Sequence, residues 1–363
     1  MTQQEIYDHY KDTVIEIATP FSLGTGLYIS EYDIIITKEH VVRGNKLVVV
    51  TGSSFSKQLI QVVYLDTYHD LAFLAAPKDH HIKGNVPMIH PIYNINDEVF
   101  TVTHLKEIKK DVHYGKITGY FLKDEGLTYI VHDTRLTAGD NGSPLFSADG
   151  QIIGLNTFES KAGMMAGYAL PFDRILDDLK IFKASSADIA VKCPNCKNII
   201  MDQGHNGGDK CPQCDVSVHM IHQIADFRPL GMTKTIEDMI ERLEFSKSLS
   251  RRGPNNWSIS YGGGEINISF YEKTGLIIGD AYLCDLPDES ERDILEYILR
   301  ENYGLESMTM SIADQKIMLS LLIYEQFLNT DIMYKLFGNL LHTADQYERT
   351  LRGKITPTIT HFK

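Results

Sequence analysis

With 363 residues the chain exceeds the usual size of one hydrophobic core, and a composition that is 43% hydrophobic and 23% charged is ordinary for folded protein, so two or three folded units are expected. Thirty-five Lys and Arg against 48 Asp and Glu leave a net charge of −13, which repels a phosphate backbone and argues against nucleic-acid binding. No apolar run approaches the ~20 residues of a membrane-spanning helix, and MTQQEIYDHYKDTVIEIATP has neither the basic start nor the apolar run of a secretory signal, so a cytoplasmic protein without membrane association is expected.

From Val14 to about Phe182 the chain is a succession of short β-rich runs, among them VIEIATP, TGLYIS, DIIIT, KLVVVTG, LIQVVYLD and EVFTVTHL, separated by Gly, Asn, Asp and Ser clusters. This is the pattern of an all-β barrel or sandwich. Its one clear helix comes at the end, where Pro171 and Asp173 lead into RILDDLKIF. The run KASSADIA reads as a linker over 183–192. A compact module then spans 193–222. From Thr233 to Gly353 the order predicted is α-β-β-β-α-β-β-α, an α+β domain, opening with Thr235 three residues before Asp238 and with Ile236, Met239, Ile240 and Leu243 at helical spacing. The GGG at Gly262 to Gly264 has no following Lys-Ser/Thr pair and reads as a hairpin turn rather than a phosphate loop. Trp257, Phe270, Tyr271 and Tyr282 read as core or dimer-face residues.

Three segments of the first region carry chemistry together. His40 follows a strand in DIIITKEHVV, Asp70 precedes an apolar run in TYHDLAFLAA, and AGDNGSPLFSADGQIIGLNT supplies a tight, glycine-bearing turn. Alone, a His or Asp at a strand end is most often a satisfied polar residue. In this order the three resemble the trypsin-like serine peptidases, especially the bacterial branch related to the periplasmic heat-shock proteases, over roughly residues 12–182. The resemblance implies an all-β double barrel over residues 1–182, a protein or peptide substrate, His40 as general base, Asp70 as the acid that orients it, and backbone N–H groups of Gly139 and residue 141 as an oxyanion hole.

The nucleophile position departs from that pattern, for matching GDNGSPL to the family turn puts Asn141 where serine belongs. A carboxamide has no hydroxyl to deprotonate and its nitrogen lone pair is delocalised, so the chain as it stands is not expected to hydrolyse peptides. Ser143 lies two residues on, too far along the turn to substitute. Either the chain is a natural pseudoprotease that binds polypeptide, or serine has been replaced in an active endopeptidase. The residue six before the nucleophile, Arg135, falls at the floor of the family's primary specificity pocket, where a guanidinium pairs with an acidic side chain; the plain alternative is that it faces solvent.

Cys193, Cys196, Cys211 and Cys214 form C-x2-C-x14-C-x2-C, a spacing suited to one structural Zn²⁺ held by four thiolates, and the segment resembles a zinc ribbon. His205, His219 and His222 are unnecessary as ligands. Cys284 is left over as a buried thiol. The C-terminal order resembles the type III secretion chaperone-like fold, whose members dimerise and bind extended polypeptide, which implies a partner-recognition or homodimerisation domain.

Overall fold

A computed structural model describes residues 3–83, 90–103, 112–123, 126–161, 164–185, 187–202, 210–262, 264–286, 291–326 and 328–355. Contacts divide the chain into Met1–Phe227 and Arg228–Lys363.

The first unit opens with a helix the sequence reading did not anticipate, α1 (Gln3–Tyr10). Its Ile6, Tyr7 and Tyr10 are buried, and Tyr10 stacks on Phe146 with its hydroxyl donating to the Gly150 carbonyl at 2.8 Å. Next come β1 (Val14–Ala18), β2 (Leu23–Ile29), β3 (Ile34–Thr37), the single turn α2 (Glu39–Val42), β4 (Leu47–Thr51), β5 (Gln58–Asp66) and β6 (Leu71–Ala75). Every position of β1 is buried, because Val14 faces one apolar cluster while Ile15 and Ile17 face another. Such a strand has no solvent face, hence no alternation. The sheet runs β5-β4-β1-β2-β3-β6, and an additional β5–β6 pairing closes it into a barrel.

Strands β7 (Glu98–Val102), β8 (Val112–Lys123), β9 (Leu127–His132), β10 (Pro144–Ser147), β11 (Ile152–Lys161) and β12 (Met164–Pro171) form a second closed barrel in the order β10-β11-β12-β9-β8-β7. Helix α3 (Phe172–Ala184) follows, burying Phe172, Ile175, Leu176, Leu179 and Phe182. Segment 183–192 is therefore no free linker: it completes α3 and then forms β13 (Ala190–Lys192), which pairs in parallel with β5 and antiparallel with β14 (Ile199–Met201). Three residues of a parallel strand carry too little pattern to be recognised in sequence.

The second unit contains α4 (Gly231–Arg242), the short α5 (Lys247–Ser250), β15 (Asn256–Tyr261), β16 (Gly264–Tyr271), β17 (Leu276–Asp285), α6 (Glu291–Asn302), β18 (Met308–Ala313), β19 (Lys316–Tyr324) and α7 (Thr330–Ile355). Its antiparallel sheet has the order β15-β16-β17-β19-β18. Helix α7 lies against β17 at Gly279, where a Cβ would come within 2.6 Å of Phe337 and 2.8 Å of Leu340. Helix α4 starts at Gly231 rather than Thr235, whose hydroxyl bonds back to the Gly231 carbonyl. Trp257 and Phe270 are buried, Tyr271 is exposed and Tyr282 is half-buried; Cys284 is buried, which raises its thiol pKa. Gly262 turns the β15–β16 hairpin at φ 61°, and Gly263 lies outside the described residues.

Candidate active site

The strand β3 ends at Thr37, and the turn α2 that follows carries His40. Asp70 closes the loop between β5 and β6 in the left-handed region, at φ 54°. The two meet closely: Nδ1 of His40 lies 2.8 Å from Oδ2 of Asp70, and Oδ1 of Asp70 accepts the backbone N–H of His40 at 2.9 Å. This arrangement fixes both ring and backbone of the histidine, leaving Nε2 as the free end of the imidazole.

Behind them sits Lys38, a residue that sequence reasoning missed. Its side chain is fully buried, with Nζ 3.5 Å from Oδ2 of Asp70 and 5.7 Å from the centre of the Tyr129 ring. Burial alone would raise the Asp70 pKa, but Lys38 and His40 together bring it below the ordinary carboxylate value. Asp70 is thus held ionised beside the imidazole.

The turn bearing Asn141 belongs to the second barrel, yet β2 of the first barrel grips it. The Thr25 N–H donates to the Asn141 carbonyl at 2.8 Å, and the Thr25 hydroxyl donates to the Gly139 carbonyl at 2.8 Å. Gly142 has φ 88°, and a Cβ there would lie 2.1 Å from the Thr25 carbonyl oxygen. Only glycine allows this close approach.

The Asn141 side chain is satisfied at both ends: Nδ2 donates to the Ala138 carbonyl at 2.9 Å and Oδ1 accepts the Phe158 N–H at 2.7 Å. Residues Ala138–Asp140 form one 3-10 turn, so the backbone N–H of Asn141 is directed at the Ala138 carbonyl over a long 3.5 Å contact. One of the two expected oxyanion donors is therefore turned back into its own loop. Ser143 is fully buried, its Oγ accepting from Asn156 at 3.0 Å and from Thr101 at 3.3 Å.

Residues 24–155 match the family of trypsin-like peptidase domains. This chain carries a trypsin-like peptidase domain. The domain is similar to serine protease HTRA1 of Xenopus laevis, 25% identical over 43% of this chain and 35% of that protein. Human serine protease HTRA3 is 27% identical over 45% of this chain and 39% of its own length. A probable periplasmic DegP-like serine endoprotease of Halomonas elongata is 28% identical over 43% and 34%. The chain thus spans little more than a third of these relatives. A crystal structure of Rv3671c from M. tuberculosis H37Rv in an inactive form, 20% identical, covers 50% of this chain and 91% of that one with a TM-score of 0.43.

Within the peptidase domain Arg135 is exposed and makes no ion pair among the described residues, while its neighbours His132, Thr134 and Leu136 point inward. His132 stands in register with Gly167, which itself opposes Phe158, and its ring fills the space that a Cβ on Gly167 would take. The Thr134 hydroxyl lies 2.7 Å from its Nδ1. Burial lowers the His132 pKa to about 4, with the Asn156 side chain opposing the shift.

The four cysteines converge. Sγ of Cys193 and Cys214 are 3.5 Å apart, as are those of Cys196 and Cys211, and all four sulfurs lie within 4.8 Å of one another. A tetrahedron with Zn–S bonds of ~2.3 Å has sulfur–sulfur edges of ~3.8 Å, so the donor set fits. The two knuckles repeat one design: Lys197 N–H donates to the Cys193 carbonyl and Asp215 N–H to the Cys211 carbonyl, with φ 63° at Lys197 and 58° at Asp215. His219 is exposed, His222 bonds Asp202 at 2.6 Å, and His205 lies outside the described residues.

Proposed function

We propose that the chain is a trypsin-like serine endopeptidase by descent, in which His40 and Asp70 are the general base and its orienting acid, and that the chain as it stands does not hydrolyse peptides because Asn141 occupies the nucleophile position. The observation that carries this reading is the His40–Asp70 pair, assembled on the first barrel, which grips the Asn141 turn of the second. General-base catalysis needs an O–H or S–H to deprotonate, and the amide offers none.

A second reading, a pseudoprotease that binds a polypeptide without cutting it, is favoured by Asn141 itself. Its carboxamide makes a hydrogen bond at each end, as a residue native to the site would. In either case the ligand is an extended peptide, and the exposed guanidinium of Arg135 suits an acidic side chain. The four thiolates would hold one structural Zn²⁺, which supplies a fixed cross-link and no chemistry at the peptide. The second unit would serve partner recognition or homodimerisation in a secretion-chaperone-like fold. A cytoplasmic location is supported by five cysteines without a disulfide.

A fluorophosphonate probe applied to this chain and to its Asn141→Ser variant, both zinc-loaded, tests the first reading. Labelling of the serine variant alone upholds the peptidase, while a folded serine variant that stays unlabelled and uncleaving upholds the pseudoprotease. Profiling of the active variant for P1 preference tests Arg135.

A further inference from the structure

A second charged cluster lies next to the His40–Asp70 pair. In the parallel pairing of β13 with β5, Ala190 opposes Tyr64 and Val191 opposes Leu65. The next residues, Lys192 and Asp66, form an ion pair at 3.3 Å. The Lys192 ammonium also reaches both carboxylate oxygens of Asp178 on α3, at 2.7 and 2.8 Å, and lies 3.4 Å from His69 Nδ1. Tyr64 completes the shell by donating to Asp178 at 3.0 Å. Asp66 is fully buried, Lys192 is 8% exposed and Asp178 7%.

What Asp66 holds is the loop that ends in Asp70. Its Oδ1 accepts the N–H of Tyr68 at 2.9 Å and of His69 at 3.0 Å, and its Oδ2 bonds the His69 ring. Asp70 follows immediately, in a left-handed conformation. On the other side, Lys192 precedes Cys193, whose sulfur belongs to the four-cysteine cluster and lies in the apolar core of the first barrel beside Val191 and Cys211.

The geometry points to Lys192 as a positioning residue for the base: it ties the cysteine module to the Asp66–Asp70 loop, so that metal held at the cysteines sets the alignment of Asp70 on His40. Without its ammonium, Asp66 and Asp178 are two buried carboxylates facing one another, and the loop relaxes to separate them. Loss of metal has the same effect by releasing β13 from β5. This inference rests on the reading of His40 and Asp70 as base and acid and of the cysteines as a zinc site.

The test is a spectroscopic one on the full-length, zinc-loaded chain with ¹⁵N-labelled histidine, at alkaline pH, the His40 signals being assigned through His40→Ala. Nitrogen shifts report which ring nitrogen bears the proton, and Asp70 selects the Nδ1–H tautomer. In Lys192→Met the His40 shifts are expected to move to the mixed-tautomer values of a free imidazole. In Lys192→Arg they are expected to stay, since the cluster borders a cavity of about 680 Å³ with room for the guanidinium. Unchanged His40 shifts in Lys192→Met, or equal movement in both variants, overturn the proposal. If Lys192→Met does not fold, Lys192→Gln, which removes the ammonium and leaves both carboxylates in place, is used under the same criteria. Chelation followed by Zn²⁺ should move the shifts away and back; shifts that persist in folded, metal-free chain overturn the metal coupling. Absence of bound zinc in the purified chain overturns the zinc reading but leaves the Lys192 comparison standing. The readout needs no hydrolysis, so an inactive Asn141→Ser variant does not affect it.

Discussion

Oδ1 of Asn141 accepts a 2.7 Å hydrogen bond from the backbone N–H of Phe158, so that the glycine-bearing turn is cross-linked to β11. A serine side chain is too short to keep this bond. In Asn141→Ser the Phe158 N–H is released and a hydroxyl becomes available to His40. If the 3-10 turn at Ala138–Asp140 also opens its donors, peptide hydrolysis should rise by on the order of 10⁴-fold or more. Steady-state cleavage of a quenched peptide library measures the gain, and Asn141→Ala, which releases the same N–H but has no hydroxyl, should show none.

Lys38→Met should destabilise the chain by ~1–2 kcal/mol, because it leaves the half-buried Asp70 carboxylate with His40 but without its cation. The Asp70 pKa is lowered in the folded state, so its contribution to stability is present above the ordinary carboxylate value and lost as pH falls through the lower folded value. Removing Lys38 should shift the onset of acid unfolding upward in pH. Urea unfolding at a series of pH values between neutrality and pH 3 reads both effects.

His132 gives a different pH dependence. Its folded pKa is lowered to about 4, from an unfolded value of 6.5, so the unfolded chain binds the proton first. Stability from this group is complete above the unfolded value and falls as pH drops from there to about 4, by ~3 kcal/mol in all. His132→Gln should flatten that part of the stability profile and leave the more acidic limb in place.

Gly142→Ala should cost ~3 kcal/mol or more, since φ 88° disfavours any side chain and the added carbon would strike the Thr25 carbonyl and the Thr37 hydroxyl. The same change at Gly44, also at positive φ but with open space around it, should cost only ~1 kcal/mol. Denaturant midpoints of the two variants separate collision from conformational preference.

Removal of metal should be felt by the barrel as well as by the cysteine module. Cys193 and Cys211 share an apolar cluster with Ile15, Val48, Val62 and Leu74, so Cys193→Ser is expected to lower the melting temperature of the first unit by on the order of 10 °C. Calorimetry with and without chelator checks this, and a first unit whose transition does not move would mean that no metal is bound there.

The sequence brought His40, Asp70 and the Gly142 turn into one reading because each sits in a local pattern: a histidine after a strand, an aspartate before one, and a turn that only glycine permits. The alternating strands and helical spacing of the C-terminal unit were readable for the same reason. Lys38 was not, since lysine is assigned to the surface unless its partner is known, and Asp70 is brought to it only by folding. Helix α1 was hidden in a polar stretch whose Ile6, Tyr7 and Tyr10 have meaning only once Phe146 is beside them. The 3-10 turn at Ala138–Asp140 depends on hydrogen bonds that no motif encodes.

The pairing of β13 with β5 also bears on how the chain is made. On a ribosome, the segment matched as a peptidase domain emerges whole long before Ala190 and Val191 do, and until then the Tyr64–Leu65 edge of β5 has no partner. An unpaired edge is a template for another chain. The nascent first barrel is therefore exposed to misassociation until translation has passed the second knuckle, and a fragment ending after α3 should be recovered as aggregate where the chain through Phe227 is soluble.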